Sequence, residues 1–269
     1  MYDHSDRSIL GVWGSEGRKR IISGGKQMIT YAEYTDIGKR EKNEDSIASL
    51  CMENGGLFVL ADGLGGHGRG EYASGSVVRT SMQLYHDNPE GFQLANCFDR
   101  CQEILMREQK EKPELADMKT TMVALQVSDG IAKWAHVGDS RLYCFKKRKL
   151  IKRTLDHSVP QMLVAMGEIE EKDIRFHEDR NRLLRVMGTE WEDRSYSLSA
   201  ELKLNKSYEF LLCSDGFWEN IVEEEMEECL KNAANVNEWM NMMVSIVKSN
   251  GQNQNMDNNS AIAVWVEKD

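Results

Sequence analysis

The chain has 269 residues, with 44 acidic and 34 basic side chains and a formal net charge of −10. Its length suits one large domain or two small ones, and 41% apolar with 29% charged residues argues against wholesale disorder. The acidic excess is the opposite of the clustered Lys and Arg of a protein that coats nucleic acid. Phosphate chemistry remains open, because carboxylates can hold cations that in turn hold phosphate.

No apolar run approaches the ~20 residues of a membrane span, and residues 1–25 lack the apolar core of a signal peptide. The six cysteines are scattered and form no CxxC pair, so neither a zinc site nor a disulfide framework is expected. We therefore expect a cytoplasmic protein that binds neither membrane nor nucleic acid.

The domain organisation is predicted to be simple. Only three prolines occur, and no Pro- or Ser-rich linker divides the chain. We expect a single domain over residues 28–269. Residues 1–27 end in Ser-Gly-Gly and are expected to form a poorly ordered leader or a first small strand.

Apolar runs and turn signals predict the elements in chain order. Continuous or closely spaced apolar runs indicate strands at 56–61, 120–127, 131–137, 141–145, 149–154, 208–213 and 261–266. Helical periodicity indicates helices at 70–85, 91–110, 158–166, 217–231 and 236–250. Short turns separate the four strands between 120 and 154, which favours an antiparallel meander. Strands interleaved with pairs of long helices predict a layered α+β domain.

Acidic residues recur at the ends of the predicted strands. Asp62 ends the first run, Asp215 closely follows the run at 208–213, and Asp257 precedes the last run. A further acidic pair, Glu44 and Asp45, lies before the first of these strands. A single Asp-Gly is usually no more than a turn, but strand ends lie close together in a sheet, so these carboxylates can converge.

Converging carboxylates repel one another and are costly to desolvate unless a cation lies among them. Oxygen ligands without His or Cys suit Mg²⁺ or Mn²⁺. Two such ions ~4 Å apart can lower the pKa of a bridging water and clamp a phosphoryl group. Arg40 supplies a guanidinium that can hold two phosphate oxygens at once.

The chain resembles the metal-dependent PPM (PP2C-type) protein serine/threonine phosphatases of the compact bacterial kind, over roughly residues 28 to 267. Each motif alone is weak, and their occurrence together in family order is specific. The matching segments are Gly38-Lys39-Arg40-Glu41-Lys42-Asn43-Glu44-Asp45, Ala61-Asp62-Gly63-Leu64-Gly65-Gly66-His67, Thr120-Thr121, Val137-Gly138-Asp139-Ser140-Arg141, Thr154-Leu155-Asp156-His157-Ser158, Cys213-Ser214-Asp215-Gly216 and Asp257-Asn258-Asn259-Ser260.

The resemblance implies a four-layer α-β-β-α sandwich with two antiparallel sheets and a site for two Mn²⁺ or Mg²⁺ ions at one end. In such a site a metal-bridged hydroxide would hydrolyse phosphoserine and phosphothreonine in proteins. The resemblance implies that Asp62 bridges both metals and that the Gly63 carbonyl, Asp215 and Asp257 are further ligands. It also implies that Glu44 and Asp45 position metal-bound waters and that Arg40 holds the phosphate.

The resemblance also implies weaker features. Asp117 is the candidate ligand of a third metal, although Lys119 stands where the family usually has Gly and is expected to weaken that site. Leu64 replaces the His that eukaryotic members carry, which leaves His67 as a candidate general acid. Residues 156–188 resemble the flap that overlies the site. Expected partners are phosphorylated proteins and a Ser/Thr kinase with its targets, and the enzyme is expected to be a monomer.

Other interpretations remain. The alternative function is a catalytically silent, metal-binding regulatory domain on the same fold. The run at 63–68 fits G-x-G-x-x-G, but Asp62 would oppose a dinucleotide pyrophosphate. Cys101 and Arg107 have the C-x5-R spacing of thiolate phosphatases, yet the intervening helical residues favour packing. His157 before Ser158 is expected to cap a helix, and His136 to lie in the core or at its rim.

Overall fold

A computed structural model describes residues 18–22, 27–53, 55–64 and 69–268 of the chain. The strands of this part are β1 Arg18–Ile22, β2 Gln27–Asp36, β3 Asp45–Met52, β4 Gly55–Leu64, β5 Lys119–Thr120, β6 Met122–Ser128, β7 Ile131–Val137, β8 Arg141–Lys146, β9 Lys149–Arg153, β10 Ser197–Leu198, β11 Leu202–Lys203, β12 Tyr208–Cys213 and β13 Asn259–Lys268. Its α-helices are α1 Arg69–Asp87, α2 Leu94–Glu111, α3 Val159–Met166, α4 Asp215–Trp218, α5 Glu223–Asn232 and α6 Val236–Gly251.

The strands form two sheets. One has the order β1-β2-β13-β12-β8-β9, and the other has the order β10-β7-β6-β4-β3, with β11 also pairing β7 and β5 pairing β4. Every pair between these strands is antiparallel. The predicted meander of four consecutive strands is wrong at its middle step, because β6 and β7 pair in one sheet whereas β8 and β9 pair in the other.

Three apolar clusters fix the layers. One lies between the sheets and joins Phe58 and Leu60 to Phe210 and Ile262. A second packs α1 and α2 on the outer face of the β3–β4–β6–β7 sheet, and a third packs α4, α5 and α6 on the other sheet. The order is helix, sheet, sheet, helix, which confirms the predicted α-β-β-α sandwich.

One predicted helix is wrong. The run at 217–231 is divided into α4 and α5, because Val222 is extended at φ −89° and ψ 160°. The carbonyls of Trp218 and Ile221 accept hydrogen bonds from the guanidinium of Arg175 (3.1 and 3.2 Å), and the Val222 N–H donates to Glu225. These side chains replace the missing helical partners, and the sequence periodicity could not reveal Arg175 as one of them.

The leader prediction falls partly on residues outside the described part, 1–17 and 23–26. Within residues 1–27, β1 pairs with β2 from Arg18↔Tyr31 to Ile22↔Gln27. The domain boundary at residue 28 stays a prediction. Over the described residues, none of the helices combines the length and apolar character that crossing a bilayer demands.

Candidate active site

The candidate site is built at one end of the sandwich, where strand ends from both sheets meet. Asp45 begins β3 and lies directly opposite Asp62 near the end of β4. Cys213 at the end of β12 is paired with Ala261 near the start of β13. Asp215 and Asp257 flank those two strand ends, so the sheet topology brings four distant carboxylates to one end, as the strand-end argument predicted.

Two threonines hold the backbone of Asp62. The Thr121 N–H donates to the Asp62 carbonyl (2.8 Å), and the Asp62 N–H donates to Thr121 Oγ1 (3.0 Å). Thr120 Oγ1 also donates to the Asp62 carbonyl (2.8 Å). These three bonds use the backbone N–H and carbonyl of Asp62 and leave its carboxylate free to face the other acids.

The hydroxyl of Ser214 links the two sheets at the acids. Ser214 Oγ donates to Asp45 Oδ2 (2.9 Å) and accepts the Ser260 N–H (2.9 Å). The other oxygen, Asp45 Oδ1, is buried and has no hydrogen-bond partner. An unsatisfied buried carboxylate oxygen is costly, so this atom has an acceptor lone pair to offer to a cation or to a water held by one.

Arg40 and Asp257 are joined at the mouth of the site. Arg40 Nη2 lies 2.6 Å from Asp257 Oδ2, and both side chains are about half-exposed. Asn258 supports this arrangement, since its side chain accepts the Glu44 N–H and donates to the carbonyls of Ile37 and Lys42. The loop that carries Arg40 is thereby fixed to the start of β13.

Crowding and burial perturb the acids. Desolvation, reinforced by the charge of Asp215, raises the pKa of Asp62 well above its usual range. Burial likewise raises the pKa of Asp45 to about 7 and that of Asp215 to about 6, with the neighbouring aspartates adding to both shifts. The mutual influence of these groups shows that they share one electrostatic environment.

Asp139 belongs to this environment, although no role for it was predicted from the sequence. It is buried just after β7, and desolvation followed by the charges of Asp215 and Asp156 raises its pKa well above the usual range. Trp218 Nε1 donates to its carbonyl (3.0 Å). The rule that selected Asp62 and Asp215, an acid at the end of an apolar strand, applies equally to Asp139 and could have found it.

The remaining predicted site residues are placed as follows. The Gly63 N–H donates to the carbonyl of Glu44 (3.0 Å), which holds these two residues together. Asp117 lies two residues before β5, and its side chain is 75% exposed and paired with Arg69 (3.1 Å). His67, the candidate acid, lies outside the described residues.

The donor set fits a divalent cation. In the described part of the chain, no three Asp, Glu, His or Cys side chains are grouped so that they could hold a metal ion as they stand. The Asp257 carboxylate is instead engaged by Arg40. The cluster nevertheless offers only oxygen ligands, includes the unpartnered Asp45 Oδ1, and is electrostatically unfavourable without positive charge, which are the properties of a Mg²⁺ or Mn²⁺ site.

The competing motifs are explained by packing. Cys101 is buried in α2, and its Sγ contacts the Val77 carbonyl, whereas Arg107 is exposed. The prediction that His157 caps α3 is wrong, because Ser158 is the N-cap and its side chain accepts the Gln161 N–H. His136 is buried, as expected.

Comparison with known proteins agrees with this geometry. The family model for protein phosphatase 2C matches residues 34–259. The serine/threonine phosphatase stp of Listeria monocytogenes is 31% identical over 237 residues, covering 84% of this chain and 93% of its own length. The crystal structure of the Mycobacterium tuberculosis serine/threonine phosphatase PstP/Ppp superposes with a TM-score of 0.76 at 28% identity, covering 90% of this chain and 99% of that one.

A PstP catalytic domain in complex with two manganese ions superposes with a TM-score of 0.77 at 26% identity, covering 90% of this chain and all of that one. The fold and the acidic strand ends define a phosphatase-type α-β-β-α sandwich. The chain belongs to the protein phosphatase 2C family.

Proposed function

We propose that this protein is a metal-dependent serine/threonine phosphatase that hydrolyses phosphoserine and phosphothreonine in proteins. The observation that carries the proposal is the convergence of Asp45, Asp62, Asp139 and Asp215, whose pKa values are raised by burial and by one another, beneath Arg40. Relatives named as serine/threonine phosphatases, and a neighbour that holds two manganese ions, support it.

Asp62, Asp215, Asp257 and the Gly63 carbonyl would hold two Mn²⁺ or Mg²⁺ ions, with Asp117 the candidate for a third. When bound, such ions supply a water of lowered pKa and positive charge for the phosphoryl oxygens. Glu44 and Asp45 would orient water at the site. The buried carboxylates need that charge, because close anions of one sign in a low-dielectric setting cannot all stay ionised at little cost.

Arg40 would orient the phosphoryl group. Its guanidinium is half-exposed at the mouth and bonded to only one carboxylate oxygen of Asp257, so its remaining N–H groups can donate to two phosphoryl oxygens. These oxygens gain negative charge during hydrolysis, and a donor held in place stabilises that charge. Cys101, the cysteine of the C-x5-R spacing, is buried in a helix and is not placed to act as a nucleophile, so no covalent phosphoenzyme is expected.

The test is hydrolysis of a phosphothreonine peptide and of p-nitrophenyl phosphate, with Mn²⁺ or with chelator. The wild type should be active only with metal, and Asp62→Asn should lose at least about 10²-fold in kcat. Asp129→Asn is the matched control, because Asp129 is exposed in a turn with φ 49°, a conformation that Asn tolerates.

Full activity in chelator, or in Asp62→Asn, would contradict the metal-site proposal. An inactive wild type that still binds Mn²⁺ would favour the silent regulatory domain. Binding of a Ser/Thr kinase, a monomeric state and a cytoplasmic location stay predictions.

A further inference from the structure

A second concave site lies on the side of the sandwich, at the seam between the two sheets. Strand β9 is the edge of one sheet, and β10 with β7 forms the edge of the other. Between these edges is a cavity of about 490 Å³ that helix α3 also borders. We name it the seam cavity. The acidic residue in its lining is Asp156, and the charge of Asp156 is paired with Arg141.

Exposed apolar side chains gather at the seam cavity. Leu155, Leu184, Leu198 and Met162 line it and are 59%, 53%, 44% and 39% exposed. They are four of the nine large apolar side chains that are exposed in the described part of the chain. Isolated exposed apolar residues are ordinary, but a group of them around one cavity marks a binding surface.

The free charges of the seam cavity are positive. Lys152 is exposed and lies over the Trp134 ring (5.2 Å), and Arg185 is exposed with no ion pair among the described residues. The acid of the lining, Asp156, is 1% exposed and is held by Arg141 at 2.6 Å. A positive, partly apolar site on a chain with net charge −10 complements a ligand that is acidic and apolar.

Two stacked histidines form the inner wall. The rings of His136 and His157 lie 4.7 Å apart and nearly parallel. Burial and the neighbouring His136 lower the pKa of His157 to about 3, so this wall is uncharged at neutral pH. Arg153 also lines the cavity, but it is paired with two carboxylates. The unpaired positive charge of the cavity therefore comes from Lys152 and Arg185, which are the groups to change in a test.

The backbone connects this wall to the candidate active site. The His157 N–H donates to the Gly138 carbonyl (2.9 Å), and the Gly138 N–H donates to His157 Nδ1 (3.3 Å). The next residue is Asp139, one of the buried acids of the site. Only one peptide bond therefore separates Gly138, which is bonded to the cavity wall, from an acid of the candidate active site.

We propose that the seam cavity binds an acidic segment with interspersed apolar side chains in the phosphoprotein substrate, an inference that rests on the proposed function. Apolar side chains of the segment pack against Leu155, Met162, Leu184 and Leu198. Its carboxylates face Lys152 and Arg185. The segment is separate from the phosphorylated residue, so docking raises the local concentration of the phosphate at the acids.

Direct binding provides the first test. The probe is a fluorescein-labelled octapeptide of alternating Leu and Asp, measured by fluorescence anisotropy at low salt, with Leu–Lys and Gly–Asp octapeptides for comparison. The wild type should bind only the Leu–Asp peptide saturably. Lys152→Glu with Arg185→Glu should weaken binding at least about tenfold, because both charges are reversed, and Leu198→Ser should weaken it as well.

Lys203→Glu is the matched control, since Lys203 is exposed on β11 at the same sheet edge and does not line the cavity. It should leave the affinity within about twofold. Absence of saturable binding, equal binding of the Gly–Asp peptide, or equal weakening by Lys203→Glu would overturn the proposal. The substituted side chains are all exposed, so the variants should fold like the wild type. Circular dichroism would verify that they are folded.

Kinetics separates this proposal from the proposed function. The substrate is a phosphothreonine peptide joined to the Leu–Asp segment by ten Gly and Ser residues, which span roughly 17 Å on average. In the wild type the segment should lower KM about tenfold relative to the same peptide without it, and the Lys152→Glu/Arg185→Glu variant should lose that advantage. Hydrolysis of p-nitrophenyl phosphate should be unchanged in the variant.

A segment without effect on wild-type KM, or a variant that loses p-nitrophenyl phosphate hydrolysis equally, would overturn substrate docking. If neither the wild type nor the variant hydrolyses the phosphothreonine peptide or p-nitrophenyl phosphate, the proposed function is wrong. The anisotropy result then still decides whether the cavity binds acidic, apolar peptides.

Discussion

Asp45 and Asp62 lie directly opposite each other in the antiparallel ladder of β3 and β4. Like charges in such a cross-strand pair are destabilising, and burial raises the pKa of both carboxyls. Asp45 in addition keeps one buried oxygen without a hydrogen-bond partner. This arrangement is unfavourable for the protein without cations and becomes favourable when cations are bound.

Arg40→Ala should reduce kcat/KM for p-nitrophenyl phosphate by about 10²-fold, because a positioned phosphate donor is lost. It should change the free energy of unfolding by less than about 1 kcal/mol, since the Arg40–Asp257 pair is exposed. Steady-state kinetics and urea unfolding measure the two quantities. The control is Arg100→Ala, which removes a comparable exposed pair with Glu103 and should leave kcat/KM unchanged. A similar loss of kcat/KM in both variants would contradict the proposed role of Arg40.

Arg141 and Asp156 form a buried, bidentate ion pair, with side chains 2% and 1% exposed. Arg141→Met or Asp156→Asn alone should lower the free energy of unfolding by up to about 3–5 kcal/mol, because each leaves a buried charge without its closest partner. The partners that remain are more distant, with Arg153 at 3.7 Å from Asp156 and Glu223 at 3.9 Å from Arg141. The double variant should be less destabilised than the sum of the two. Urea unfolding of all four proteins measures this coupling, and strictly additive losses would refute it.

Gly63→Ala should impair activity more than tenfold, because an added Cβ would overlap the Gly70 carbonyl at the start of α1 and displace the strand end beside Asp62. Gly167→Ala is the matched control. Gly167 has φ +76° with open space around it, so alanine there costs about 1 kcal/mol of stability and should leave activity intact. Equal activity of the two variants in the p-nitrophenyl phosphate assay would show that the Gly63 contact is unimportant.

Glu209 provides a pH-dependent test away from the acidic site. Burial raises its pKa from 4.5 to about 7, so between these values the folded protein holds a proton that the unfolded chain has released. The contribution of Glu209 to stability therefore falls as pH rises from about 4.5 to 7. Glu209→Gln removes this titration and should gain about 1–3 kcal/mol relative to wild type between pH 5 and pH 8.

Urea unfolding at pH 5, 6, 7 and 8 in the presence of chelator measures that difference. The exposed Glu192→Gln variant should follow the wild-type curve. Parallel curves for Glu209→Gln and wild type would show that the carboxyl titrates alike in the folded and unfolded chain.

The apolar runs and strand ends of the sequence were sufficient to predict a layered α+β domain and the convergence of Asp62, Asp215 and Asp257. The four-layer sandwich with two sheets followed from the family resemblance. The sequence was insufficient where the local structure involves a distant side chain. Where the helix predicted at 217–231 is divided, Arg175 donates to the carbonyls of Trp218 and Ile221, and no local pattern signals this contact.

Two other features depend on three-dimensional contacts. Arg40 was expected as a phosphate ligand, and its bond to Asp257, 217 positions away, could not be read from spacing. The seam cavity arises because β9 and β10 are the edges of different sheets on one side of the sandwich. Its residues are scattered from 134 to 199, so periodicity does not group them.

The most direct measurement is a calorimetric titration of Mn²⁺ into the wild type and Asp62→Asn, with Asp129→Asn as the control. We expect two Mn²⁺ ions bound per chain in the wild type and in Asp129→Asn, and the loss of at least one in Asp62→Asn, because Asp62 is proposed to hold both ions. No binding by the wild type at millimolar Mn²⁺, or the same stoichiometry and affinity in Asp62→Asn, would contradict this expectation.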